Sequence, residues 1–318
     1  MIEKFYSGVE AIAKPKEESI LRKQENMNTL FLRLQSVYNN RPDPLAKENS
    51  FVGAMSANDK FAKEYSEEIV TRDVLEAKSI RDNIDKENGG HGQLRLNHFE
   101  ENFAFAEAAQ AMITDLLNKW LPDFKTIMTS DFDDLKGGVD MVMKHKDGGY
   151  LGTALDVTVT GNPENIKNKL NKNWEKNIIK GSLPVVKYFQ DPDTKEKGRI
   201  IVPKFIIGIS ALDVNTMAEA YLSGSETSLD SHPFRKLILE QIEVQLDDIL
   251  NFYENNLDKD YLKFAYHEYL RVEGMIRESK KTLNESKIID PLEYHEYAYA
   301  EKMPLKLIKE FIDEKNKQ

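Results

Sequence analysis

The chain contains no cysteine. That absence excludes disulfides, thiolate zinc sites and cysteine nucleophiles together, and it fits a reducing compartment. Positive charge is not in excess either. The 44 Lys and Arg stand against 54 Asp and Glu, a formal net charge of −10, which argues against binding nucleic acid through bulk charge and leaves only local basic patches. No run approaches the roughly 20 apolar residues of a membrane span, and the stretch from Met1 to Ile20 has no apolar signal segment. The expectation is a soluble, cytoplasmic protein. The six histidines, His91, His98, His145, His232, His267 and His295, show no HExxH or similar ligand spacing, and no Ser or Thr lies in a nucleophile elbow. Internal repeats, low-complexity runs and long linkers are missing too.

What is present is enough for a sizeable core: 318 residues, 40% hydrophobic and 31% charged, a globular composition. Residues 1–95 read as helical. Leu21, Leu30, Leu32, Leu34 and Val37 fall near helical spacing before Pro42 and Pro44 break the pattern, and a second, highly charged helix covers residues 58–84. The Gly89-Gly90-His91-Gly92 loop that follows lacks the Lys-Ser/Thr of a phosphate-binding P-loop and reads as a connection. Asn97, with Glu100 in the capping-box position, opens a helix to Trp120 whose apolar stripe is Phe105, Ala109, Met112, Leu116 and Trp120. Glu101 lies within about 40° of Phe105 on the helical wheel. It is a carboxylate on the buried side that needs a partner, or an N-terminal acid favoured by the helix dipole.

The stretch from Thr129 to Thr160 concentrates the chemistry. It holds Asp131, Asp133, Asp134, Asp140, Asp147 and Asp156, with glycine turns at Gly137-Gly138 and Gly148-Gly149. Read as a hairpin, it brings Asp140, near the start of one strand, close to Asp156, near the end of the next. Converging carboxylates need a cation or a proton between them. In the second strand Leu155, Val157 and Val159 alternate with Ala154, Asp156, Thr158 and Thr160, giving one aliphatic face and one face with an acid and two hydroxyls. The plainer alternative makes Asp140 and Asp156 hairpin-end acids paired with Lys144 or Lys146.

Asn162-Pro163-Glu164 starts the next helix. Its apolar face is Ile166, Leu170, Trp174 and Ile178, and Lys169, Lys172, Lys176 and Lys180 form a second ridge, either a solvated face or a phosphate-backbone contact. Strands are expected from Leu183 to Phe189 and from Ile200 to Ser210, the latter interrupted at Pro203; helices follow from Asp213 onward.

The order of helix, strand with Asp140, strand with Asp156, helix and strand resembles the core of the PD-(D/E)XK, or restriction-endonuclease-like, nuclease superfamily over about residues 97–211. The resemblance implies an αβββαβ core with a central mixed sheet, an α/β (α+β mixed) fold at residues 96–212, flanked by helical regions at 1–95 and 213–318. It implies a nuclease dependent on Mg²⁺ or Mn²⁺ that hydrolyses nucleic acid, DNA ahead of RNA, with Asp140, Asp156 and Glu101 as metal ligands and Asp134 as a further acid. The position of the family's catalytic lysine is filled by Thr158, which brings no charge. Either the lysine comes from the following helix, with Lys172 the first candidate and Lys169 and Lys176 beside it on phosphate, or catalysis is lost. In the second case the core would be a nucleic-acid or protein binding module, and the helical regions offer surfaces for a protein partner or a second copy.

Overall fold

The computed structural model describes residues 25, 26, 29, 30, 32–34, 65–87, 103–146, 152–160, 163–191, 194, 197–282 and 298–315. Its centre is strand β3, Gly152–Thr160. Leu155 and Val157 on one face enter the main hydrophobic core, while Asp156 and Thr158 on the other are also buried. Both edges of this strand are paired. On one side it meets β2, Met141–His145, antiparallel, and β2 pairs in turn with β1, Phe124–Met128. On the other it meets β6, Lys204–Ser210, in parallel register with Asp156 opposite Ile206 and Thr158 opposite Gly208. The result is a four-stranded mixed sheet of order β1-β2-β3-β6 with helical flanks.

Two strands differ from the sequence reading. The expected Ile200–Ser210 strand is divided at Val202-Pro203. Lys197–Ile201 forms β5 and pairs with β4, Val185–Gln190, in a separate two-stranded sheet, and only β6 joins the main sheet. Pro203 has no N–H for a ladder; its carbonyl instead accepts from the Ala154 amide at 2.7 Å and the Thr153 hydroxyl at 3.1 Å. The residue pattern alone also gives no strand before Asp140, whereas β1 is present. Five residues with Phe124, Thr126 and Met128 inward are too few to stand out as an alternating pattern.

Helix α2, Phe103–Trp120, packs on β1 and β3. Met112, Leu116 and Trp120 of its expected stripe are buried. Helix α4, Pro163–Asn173, runs into a π-helical turn at Trp174–Ile178 and lies over β3 and β6. After β6 come α5, Ala211–Ser223, the short α6, Glu226–Asp230, then α7, Phe234–Glu254, α8, Asp260–Thr282, and α9, Ala298–Lys315. Helices α7 and α9 both touch β6, and one apolar cluster runs from Leu30 and Leu34 through the sheet to Phe311. No helix among the described residues is long and apolar enough to cross a membrane.

Both outer edges of the sheet are closed by side-chain carboxamides. At β6, Gln245 accepts from the Ile206 amide at 3.0 Å and donates to its carbonyl at 2.9 Å, and Gln241 does the same to Gly208 at 2.8 and 3.0 Å. At β1, Asn118 accepts from the Thr126 amide at 2.8 Å and donates to its carbonyl at 3.0 Å. Each carboxamide turns one N–H and its oxygen to the strand, so it replaces the residue of an absent neighbouring strand.

The segment leading into Asp140 is anchored from two directions. Helix α3, Asp131–Leu135, is capped by Ser130. Its buried Asp133 accepts from the Lys187 and Tyr188 amides of β4 at 2.6 and 3.0 Å. Helix α1, Glu67–Glu87, grips the same segment through the ion pairs Arg81–Asp131 at 3.2 Å and Glu76–Lys136, and Arg81 also pairs with Glu107 of α2 at 3.0 Å. Asp73 of α1 holds Lys187 and, at 2.8 Å, the Tyr188 hydroxyl, while the Lys187 ammonium sits 4.7 Å from the Tyr65 ring centre.

Candidate functional site

Asp140 precedes the first residue of β2, where the ladder to β3 is ending. Its amide still donates to the Leu155 carbonyl at 3.0 Å, and its side chain accepts from the Val157 amide at 2.6 Å. The carboxylate therefore takes the place of the next backbone carbonyl, which fixes it beside Asp156. On the other side its carbonyl accepts from the Thr129 amide at 3.0 Å. A side-chain hydrogen bond also joins Asp134, on α3, to Asp140.

Asp156 is met by two ammonium groups from different elements. Lys169 of α4 bonds Oδ1 at 2.5 Å, and Lys204, the first residue of β6, lies 2.7 Å from Oδ2. Lys204 also donates to the Gly138 carbonyl at 2.5 Å. It thus ties β3, β6 and the turn before Asp140 together. Lys144, one of the two partners named in the hairpin-end alternative, reaches across to Asp191 instead.

The two acids differ electrically. Burial and the neighbouring Asp156 charge raise the Asp140 carboxyl above its usual range, against the pull of Lys169. Burial also works to raise Asp156, but Lys169 and Lys204 outweigh it and hold that carboxylate ionised. Burial alone would lower the Lys169 ammonium; Asp156, Asp140 and Asp134 reverse this and keep it charged. Such a site has one acid ready to carry a proton, one firmly ionised and an adjacent fixed cation.

Thr158 follows two positions along the same face. It is 7% exposed, and its hydroxyl has no hydrogen-bond partner among the described residues. Like several other buried polar atoms of the described residues, it is open to a bond from a water, ion or ligand atom.

Asp140, Asp156, Thr158 and Asp134 are gathered here, and Glu101 lies outside the described residues. The lysine at the carboxylates is Lys169. Lys172, expected there, is exposed further along α4, as is Lys176 in the π-helical turn. The helical wheel accounts for this: Lys169 is about 60° from the buried Ile166, while Lys172 is about 160° from the buried Leu170. Lys204 is absent from the sequence reading. The signal for it was a lone lysine opening the run Lys204-Phe205-Ile206-Ile207, since a cation at the head of a buried strand needs a carboxylate.

Gly138 has a φ of 62°, and a Cβ there would lie 3.2 Å from the Lys204 ammonium and 3.4 Å from Asp156 Oδ2. Gly138→Ala should therefore cost about 1–2 kcal/mol of stability from the left-handed backbone alone. It should also displace Lys204. Urea unfolding reads the first effect, and loss of any activity beyond the unfolded fraction reads the second.

Among the described residues no group of three or more His, Asp or Glu side chains is placed to hold a metal ion as the side chains stand. His232 is also spoken for: its Nδ1 faces the Phe234 amide at 3.2 Å and its Nε2 the Thr216 hydroxyl at 3.2 Å. Burial lowers it to about 4, so it stays neutral. No family model, curated protein or solved structure matches this chain, so its chemistry has to be read from these residues.

Proposed function

We propose that the protein is a divalent-metal-dependent nuclease, hydrolysing phosphodiester bonds with a restriction-endonuclease-like core, DNA ahead of RNA. The observation that carries the reading is Lys169: its ammonium lies 2.5 Å from Asp156 and in the field of Asp140, so α4 supplies the cation that Thr158 does not. Further support comes from the mixed sheet, in which β1, β2 and β3 precede α4 and β6 follows it, with α3 inserted between β1 and β2 and the β4–β5 pair between α4 and β6.

Asp140 and Asp156 offer hard oxygen donors of the kind Mg²⁺ or Mn²⁺ prefers, with Asp134 adjacent and the Thr158 hydroxyl unsatisfied beside them. Glu101 is the further ligand of this reading. When bound, the ion supplies charge stabilisation and an acidified water. Lys169 neutralises charge developing on the phosphoryl oxygens. Asp140 and Asp156 would hold the ion as ionised carboxylates, so the proton of the attacking water would leave to solvent. The exposed Lys172 and Lys176 contact the phosphate backbone away from the scissile bond.

Incubating the full chain with labelled single- and double-stranded DNA and RNA, in Mg²⁺, Mn²⁺ or a chelator, tests this. Cleavage that needs the metal is expected. Intact substrates under every condition would favour the second reading, a catalytically silent module that binds nucleic acid or protein. That reading draws on one observation, that both oxygens of Asp156 are already held by lysines.

A further inference from the structure

Asp156 has two lysine partners of unequal kind. Lys204 is held twice, by Asp156 Oδ2 at 2.7 Å and by the Gly138 carbonyl at 2.5 Å, and its side chain is only 9% exposed. It stands where β6, β3 and the glycine turn converge, and a Cβ on Gly138 would press against it. Lys169 comes from a helix rather than from the sheet, is 39% exposed, and bonds the other oxygen, Oδ1. The unsatisfied Thr158 hydroxyl lies on the same strand face. The cluster thus sets three carboxyls, Asp134, Asp140 and Asp156, against two ammonium groups.

We infer that Lys204 is a fixed positioning residue that reserves Oδ2 of Asp156, and that Lys169 and a divalent cation are mutually exclusive partners of Oδ1. The inference rests on the metal-dependent reading above and adds an order of events to it. In the free protein Lys169 fills the cation's place and keeps Asp156 paired. Were Asp140 and Asp156 to hold a divalent ion, Lys169 would be freed from Oδ1, and its side chain, 39% exposed, could turn to a substrate phosphate. Lys204 stays, so Asp156 does not lose its orientation during the exchange. The lysine needed for substrate is therefore a competitor for metal, and removing it strengthens metal binding. A lysine whose role is to support the metal site, or merely to fold it, has the opposite effect.

The test is calorimetric titration of the full chain with MnCl₂ in the absence of nucleic acid, for the wild type, Lys169→Met, Lys169→Gln, Lys204→Met and Asp156→Asn, each checked for a cooperative thermal transition. Either Lys169 variant should bind Mn²⁺ at least about tenfold more tightly than the wild type, since the ion then takes Oδ1 of Asp156 without displacing an ammonium. Lys204→Met should show no such gain, because the oxygen it vacates comes with loss of the hold on the Gly138 turn. Adding Asp156→Asn to Lys169→Met should abolish the gain. Binding by the Lys169 variants that is equal to or weaker than wild type overturns the exchange, as does an equal gain in Lys204→Met. If only the Lys169 variants bind, the exchange stands and the wild type is held closed. If no variant and no wild type binds Mn²⁺, the metal-dependent reading itself falls.

Discussion

Lys169→Met should reduce phosphodiester cleavage by about 10³-fold while leaving the protein folded. The loss follows from the position of the ammonium, which bonds Asp156 from a side chain that is 39% exposed, against 9% for Lys204. Removing a charge that acts on the transition state costs about two to three orders of magnitude, or about 4 kcal/mol of barrier. Stability should change by no more than about 1 kcal/mol. The pair is partly solvated, methionine keeps most of the aliphatic stem, and Asp156 retains Lys204. Lys172→Met serves as the comparison. It removes an exposed backbone contact and should alter kcat/KM by less than about threefold. Equal losses in the two variants would assign the effect to general phosphate binding and not to the site.

The largest effect on stability is expected at the sheet edge. Gln241→Leu combined with Gln245→Leu should destabilise the fold by about 5 kcal/mol, a large share of the 5–15 kcal/mol that holds a typical domain. Leucine fills nearly the same volume but cannot bond. The N–H and C=O groups of Ile206 and Gly208 would then lose all four hydrogen bonds in a strand where every residue is buried, at about 1–3 kcal/mol for each group left unpaired. Each single variant should cost roughly half as much. Urea unfolding measures both. A double variant within about 1 kcal/mol of the wild type would mean that water or a shifted helix takes over the edge.

This contrast between site and edge also marks what the sequence disclosed. The alternation around Asp156, the helix opening at Pro163 and the pairing of Asp140 with Asp156 were all readable, because each is a local pattern with a fixed period. The helical flanks followed from the order of those patterns, and the mixed central sheet from the family resemblance that the order suggests. The hydrogen-bonded glutamines were not readable. Gln241 and Gln245 sit at ordinary helical spacing in α7, and nothing local says that a strand edge faces them. Lys204 was hidden for a related reason, since its partners Asp156 and Gly138 are far from it in the chain. The choice between Lys169 and Lys172 was within reach, because the helical wheel alone sets Lys169 nearer the buried face. The two-stranded β4–β5 sheet is not legible locally, because Pro203 reads as an interruption within one strand, whereas it divides two strands that pair with different partners.

The central claim is that Asp156 and its neighbours form a metal-dependent hydrolytic site, and one measurement addresses it directly. Supercoiled plasmid is incubated with the wild type and with Asp156→Ala in Mg²⁺, in Mn²⁺ and with a chelator, and nicked and linear products are quantified. Metal-dependent cleavage by the wild type, reduced at least about 10³-fold in the variant, is the predicted result. Cleavage that survives in Asp156→Ala, or that proceeds equally in the chelator, would contradict it.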